Sequence, residues 1–318
     1  MADRARVAVL ISGRGSNMAA LLYAAKIEDC PYEIVLVAAN DPDAGGLKLA
    51  EAEGVPTWSR SHKGMDRAAF DDLLHDAISA AGAEYVALAG YMRLLSDGFV
   101  ERWEGRMLNI HPSLLPKYKG LRTHARALEA GDEAGGCSVH IVTPELDDGP
   151  VLAQVPVAIV PGDTPETLAA RVLFAEHQLY PQALASYVSR YRDPKWLLEQ
   201  VAARALALPE AEAADSHGAP AFRTKKGKFF AHFSDNHHGE KRIALLVKTS
   251  GPDEMNTLIE ADPATYHRPA YYGASGWIGV RLDRKNLDWA HVEEWLRKSW
   301  RLTAPKRLTK LMDAAEEF

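Results

Sequence analysis

Through the first 190 positions, short runs of consecutive apolar residues alternate with stretches that repeat apolar side chains every three to four positions. The runs at 6–13 (RVAVLISG), 33–40 (EIVLVAAN), 84–90 (EYVALAG) and 106–111 (RMLNIH) read as strands buried on both faces. Between them, 17–28, 44–53 and 66–82 carry helical periodicity. That alternation predicts an α/β fold, a Rossmann-like and mostly parallel sheet with helices on both faces. After 130 the pattern changes. Residues 136–159 hold two strand-like runs around an acidic Gly-Pro turn, which predicts a hairpin closing the sheet. A long helix is expected over 164–190, with Asp163 or Thr164 as its cap and Pro165 in its first turn.

The Ala- and acid-rich stretch 206–220 reads as a helix followed by a loop. Beyond it, 227–233, 242–248 and 276–282 are strand-like, and 252–261 and 288–298 are helical, the pattern of a small α+β domain. Composition shifts at the same place. Residues 1–200 hold 19 Lys+Arg against 27 Asp+Glu, residues 201–318 hold 18 against 16, and five of the seven Trp follow position 190. Two domains are therefore expected, 1–195 and 196–318, with the boundary somewhere in 190–216.

At 318 residues, 47% hydrophobic and 25% charged, the chain has the composition of a soluble globular protein. No apolar run approaches the ~20 residues that cross a bilayer. The N-terminal run MADRARVAVLISG is too short and too soon ended by Gly for a signal peptide. Cys30 and Cys137 lie far apart and outside any CxxC pair, which suits a reducing cytosol and argues against a disulfide framework or structural zinc. His140 and the pair His237-His238 lack ligand spacing, so no metal is expected. A cytoplasmic location follows.

Three stretches carry candidate chemistry. In LISGRGSNMAALL an apolar strand ends in a glycine-rich turn, and Ser16-Asn17 open a helix. Amides freed around Gly13 and Gly15, added to the helix N-terminus, would cradle an anion such as phosphate. Met18 replaces the third glycine of a dinucleotide fingerprint, and no Gly-Lys-Ser/Thr ending makes it a Walker loop. In NIHPSLLPKYKG, Asn109 and His111 are two apart on a strand and so share a face, roughly 6.5–7 Å apart, while Ile110 turns into a core layer. Pro112 keeps His111 extended and offers the ladder no amide. Imidazole can pass a proton near neutral pH, and an Asn amide can donate to a developing oxyanion. In TPELDDGP (143–150), Asp147 or Asp148 could pair with His111 and favour its imidazolium, although an ordinary hairpin turn has the same Asp-Gly signature. Spacing does not choose between the two. No nucleophile stands out: there is no GxSxG elbow, and neither Cys sits in an electropositive setting. A proton shuttle, an oxyanion donor and a carboxylate without a nucleophile suit direct transfer between two bound substrates.

SGRGSN, LAGYMRLL, NIHPSLLPKYKG, SVHIVTPELDDGP and AEHQLYP, in that order through roughly residues 5–190, resemble the phosphoribosylglycinamide formyltransferases (glycinamide ribonucleotide transformylases) of purine biosynthesis. The resemblance implies a formyltransferase fold. It implies a one-carbon transfer from 10-formyltetrahydrofolate, the formyl-donor cosubstrate, to the amine of glycinamide ribonucleotide. It assigns Asn109 to the oxyanion, His111 to proton donation and Asp147 to holding and charging that histidine. Gly13, Gly15, Ser16 and Asn17 would hold the ribonucleotide phosphate, with Glu176 near that substrate's other end. Arg67, Met92, Arg93, Leu94, Leu95, Asn109, Val142, Thr143 and Asp147 would line the folate pocket. A homodimer is left open.

The second module, about 216–310, is similar to the MmcQ/YjbR-like family through HGAPAFRTKKGKFFAHF, GASGWIGVRLD and LRKSWRLTAPKRL. Arg223, Lys225, Lys226 and Lys228 lie beside Phe229 and Phe230, and Arg301, Lys306 and Arg307 cluster later, but the near-neutral balance is too small for a nucleic-acid footprint. An accessory or docking role is expected, with no nucleic acid and no membrane as partner. The rival activity is hydrolysis of 10-formyltetrahydrofolate by a deformylase using the same Asn, His and Asp. The resemblance gives such enzymes an N-terminal regulatory domain, whereas here the catalytic sheet starts at residue 6. Formyl transfer to methionyl-tRNA is disfavoured by SGRGSN and by the acidic catalytic half. A scaffold whose function lies in a nucleic-acid-binding C-terminal module is disfavoured by an intact Asn109, His111 and Asp147.

Overall fold

The computed structural model describes residues 4–236, 239 and 241–316, so the His237-His238 pair lies outside the described residues. The chain forms two compact units, one up to residue 188 and one from 189 onward. In the first, strands β1 (Ala5–Ile11), β2 (Tyr32–Ala39), β3 (Thr57–Ser59), β4 (Tyr85–Leu88) and β5 (Met107–His111) alternate with helices α1 (Ser16–Ala24), α2 (Gly45–Ala52), α3 (Arg67–Ala80) and α4 (Asp97–Arg102). Then come α5 (Thr123–Glu129), the hairpin strands β6 (Ala134–Ile141) and β7 (Val151–Ala158), and the long α6 (Pro165–Val188). The sheet order is β3-β2-β1-β4-β5-β6-β7. The first five strands pair in parallel, and the β6–β7 hairpin adds antiparallel at one edge.

Alternation along β1 builds two cores. Val7, Val9 and Ile11 pack with Leu21 of α1 and Val172 of α6; Ala8 and Leu10 face Phe70 and Leu74 of α3. Thr164 caps α6, its hydroxyl accepting from Thr167 N, while the Asp163 carboxylate is taken up by Arg171. Tyr180 of α6 is fully buried, and its hydroxyl reaches Leu88 O (3.1 Å) and Leu108 O (3.0 Å), fastening the helix to β4 and β5. The chain leaves β1 toward β2 on one side and meets β4 on the other. The carboxyl ends of these strands therefore form the crevice where ligands bind in open α/β sheets.

The second unit holds α7 (Pro194–Ala205), β8 (Ala211–Ser216), β9 (Ala219–Thr224), β10 (Phe229–Asp235), β11 (Ile243–Lys248), α8 (Pro252–Ala261), β12 (Tyr266–His267), β13 (Trp277–Arg281), α9 (Trp289–Thr303) and α10 (Lys306–Glu316). Its antiparallel sheet, in the order β12-β13-β11-β10-β9-β8, buries Phe230, Leu245, Val247 and Val280 with Leu197 and Val201 of α7 and Leu296 and Trp300 of α9. One expectation is corrected here. The stretch 206–220 is not a helix and loop: β8 pairs along its whole length with β9 through a two-residue turn, His217 (φ 56°) and Gly218 (φ 80°). Cross-strand pairing beside the buried Phe222 and Thr224 overrides the helix preference of Ala and Glu, which is only a weak prior.

Candidate active site

Asn109 and His111 close β5 on the face opposite Ile110, which packs with Val139 in the first core. Antiparallel pairing puts Asn109 across from His140 of β6 and His111 across from Ser138. Beyond Pro112 the chain turns, and Tyr118 O comes to 3.0 Å from His111 Nε2. On the other side of the ring, Asp147 Oδ2 lies 3.4 Å from Nδ1. Asp147 is bent into place by a positive φ of 51° and by the Gly120 amide, which donates to Oδ2 at 2.9 Å. Its other oxygen is 3.6 Å from His140 Nε2. Asp148 instead points outward to Lys119 (2.5 Å) with its side chain about half exposed. Geometry thus separates two aspartates that spacing could not.

The turn carrying these acids has a tight exit. A Cβ on Gly149 would lie 1.9 Å from Ile141 O, so the chain can pass there only as glycine.

The electrostatics follow from burial and partners. For His111, burial is the largest influence and lowers the pKa; the Tyr118 carbonyl and Asp147 charge raise it, without overcoming burial. The carboxylate favours the imidazolium, but the resting ring is pushed toward neutrality. For Asp147, burial raises the pKa, yet the neighbouring His140 ring, the hydrogen bond donated by Gly120 N and the nearby His111 imidazole together hold it below the usual carboxylate value. The tautomer of His111 follows from its neighbours. Donation to Tyr118 O places the neutral ring's proton on Nε2 and leaves Nδ1 free beneath Asp147. Only the imidazolium can serve both acceptors.

Sequence spacing gives His140 no role beyond that of a poor metal ligand. It is buried, its Nε2 lies 3.2 Å from Asn109 Nδ2, and its Nδ1 lies 2.9 Å from Ile141 O. With the Nδ1 proton on that carbonyl, Nε2 accepts one hydrogen of the Asn109 amide and leaves the second free. The signal that finds His140 is its register opposite Asn109, which requires knowing that β6 runs antiparallel.

Gly13, Gly15, Ser16, Asn17 and Glu176 come together at the carboxyl end of β1. Gly15 precedes α1 with φ 73°, and a Cβ there would meet Gly46 Cα at 3.0 Å. Asn17 is buried and donates to Glu176 Oε2 at 2.6 Å, while its Oδ1 has no hydrogen-bond partner among the described residues. Burial raises the Glu176 pKa, with the Asn17 bond opposing. Since β4 separates β1 from β5, this loop lies about 10 Å across the sheet edge from Asn109.

Between the two, Met92 and Leu94 stand 71% and 55% exposed, large apolar groups left facing solvent. The Arg93 guanidinium stacks over Phe70 (5.0 Å), and Leu95 packs against the α3 side of the core. Val142 and Thr143 follow β6; Val142 N donates to Met107 O (2.9 Å) at the start of β5, and Val142 packs on the same core as Leu95. Arg67 is exposed at the first position of α3, and no hydrogen bond among the described residues links it to these segments. Cys137 is fully buried, and burial pushes its thiol up to about 12, so it is no nucleophile. Among the described residues no group of His, Cys, Asp and Glu could hold a metal, and no helix is long and apolar enough to cross a membrane.

Comparison with known proteins agrees with this layout. A formyl transferase family model matches residues 5–184, and a YjbR model matches residues 206–302. Phosphoribosylglycinamide formyltransferase of Escherichia coli K12 is 43% identical over 197 residues, covering 60% of this chain and 92% of the relative. The trifunctional purine biosynthetic protein adenosine-3 of Bos taurus is 46% identical over 182 residues; the match covers 57% of this chain but only 18% of that much longer protein. The crystal structure of phosphoribosylglycinamide formyltransferase from Brucella melitensis superposes with a TM-score of 0.56 at 51% identity, covering 58% of this chain and 95% of that one. A family match running nearly the full length of the first unit, over the same strand ends that gather Asn109, His111 and Asp147, shows that this chain belongs to the formyl transferase family.

Proposed function

We propose that the first unit transfers a formyl group from 10-formyltetrahydrofolate to the amine of glycinamide ribonucleotide, as the name of the Escherichia coli relative describes. The observation that carries this reading is the convergence of Asn109, His111 and Asp147 at the end of β5. The apolar faces of Met92 and Leu94 suit a flat folate ring lying between 92–95 and 142–147. The Gly13–Asn17 turn suits a phosphate, and the buried Asn17–Glu176 pair suits the hydroxyls and amine beyond it.

As the amine attacks, the formyl oxygen gains charge and takes the second hydrogen of the Asn109 amide, the first being engaged by His140. His111 begins neutral. It accepts the amine's proton at Nδ1, where Asp147 stabilises the new charge, and returns it to the departing folate nitrogen. Residues 1–195 would carry this reaction in the cytoplasm. The module from 196 would be an accessory domain without a nucleic-acid role, and a homodimer is compatible with the reading. The test is folate absorbance with purified protein and 10-formyltetrahydrofolate, with and without glycinamide ribonucleotide. Turnover only when both are present is the expected result. Turnover without the ribonucleotide would instead indicate a hydrolase.

A further inference from the structure

Ser12 lies between β1 and the Gly13–Asn17 turn, and its bonds reach two other loops. Its N–H donates to Gly90 O (3.2 Å), and its hydroxyl oxygen accepts from Met92 N (2.8 Å). The hydroxyl hydrogen goes to Asn40 Oδ1 at 2.6 Å. Asn40 is itself 6% exposed at the end of β2, with its amide 3.1 Å from His62 Nδ1. A serine hydroxyl has one hydrogen, so committing it to Asn40 aims the remaining lone pairs at the Met92 amide. The loops leaving β1, β2 and β4 thus meet on one oxygen. One of them is the anion turn and another is the segment carrying Met92 and Leu94. On the turn's far side, Gly46 N donates to Gly13 O (3.1 Å) and holds it independently of Ser12's side chain.

We propose that Ser12 is a positioning residue that clasps the folate-lining segment to the ribonucleotide turn, oriented by Asn40, so that filling either pocket stiffens the other. This rests on the reaction assigned above. Without the hydroxyl, segment 91–95 loses its tie to β1, while the turn keeps its bonds to Gly46 and Gly90. A purely scaffolding role would weaken both ligands alike. A clasp weakens mainly the folate and abolishes the coupling between ligands.

The test is calorimetric titration of the full chain with glycinamide ribonucleotide and with tetrahydrofolate under anaerobic conditions, each alone and in the presence of the other. For wild type, each ligand should tighten the other about fivefold or more. Ser12→Ala should weaken tetrahydrofolate about five- to tenfold, change ribonucleotide binding alone less than twofold, and lose the coupling. Ser12→Thr, which keeps the hydroxyl, should restore both folate affinity and coupling. Unchanged folate affinity and coupling in Ser12→Ala would overturn the clasp, as would Ser12→Thr behaving like a poorly folded Ser12→Ala. Wild-type protein that binds neither ligand would instead overturn the assigned reaction, and the clasp with it.

Discussion

His111 in the first unit and His232 in the second are equally buried, each 6% exposed, and burial is the main cause lowering the pKa of both. Their surroundings differ. His232 is packed among the rings of Phe229, Tyr272 and Trp277 at centroid distances of 5.0–5.1 Å, and its pKa falls to about 4. His111 has an acceptor at each nitrogen, Tyr118 O and Asp147 Oδ2. Burial alone makes an imidazole that stays neutral and serves as a polar ring in a core. Burial with a carboxylate in reach makes one that can take a proton and keep it for the duration of a step.

Removing the carboxylate's charge should erase that distinction, and this is the largest effect expected. Asn tolerates the left-handed backbone of Asp147. Asp147→Asn should therefore fold normally and bind glycinamide ribonucleotide within about twofold of wild type, while kcat drops on the order of 10³-fold. Since the proposed transfer starts from a neutral His111, wild-type kcat/KM should fall as pH falls through its lowered pKa, giving an acid limb below 6.5. In Asp147→Asn the residual activity should show that limb shifted further to acid, since the charge that raised the pKa is gone. A limb that stays in place would remove His111 as the titrating group.

His232 sharpens the same comparison through stability. Its folded pKa of about 4 lies below an unfolded value near 6.5, so the unfolded chain takes up the proton first. Its contribution is complete above pH 6.5 and is lost as pH falls through 4, by roughly 3 kcal/mol in all. Thermal melts of the second unit's transition between pH 7 and 4 should show this slope, and His232→Leu should flatten it. The smallest effect belongs to the other aspartate. Asp148→Asn breaks only the solvent-facing pair with Lys119, so kcat should stay within twofold and stability within about 0.5 kcal/mol. A loss comparable to that of Asp147→Asn would undo the separation of the two acids.

Much of this was legible in the chain itself because it depends on local periodicity. The buried strands, the shared face of Asn109 and His111 and the glycine turn all follow from spacing within a few residues. What was not legible depends on pairing between distant segments. Asp147 and Asp148 are chemically alike until the backbone twists one under Gly120 N and the other toward Lys119. His140 gains its partner only through the β5–β6 register. Strand β8 misleads for the same reason, since its alanines and acids favour a helix until β9 supplies a partner across a two-residue turn. Helix α7 was unread because its amphipathic pattern abuts the place where composition shifts.

The tight passage at Gly149 has a consequence for redesign of the acid-bearing loop. With Ile141 O occupying the space a side chain would need, the return strand starts from a fixed point, and Pro150 O is held at 2.9 Å from Ile141 N. The loop therefore behaves as a ruler whose two ends are pinned and whose length places the carboxylate. Its outward side chains, Leu146 at 54% exposure among them, are open to exchange when a new specificity is wanted. An insertion or deletion between the pins, however conservative in chemistry, would deliver the acid to the wrong address.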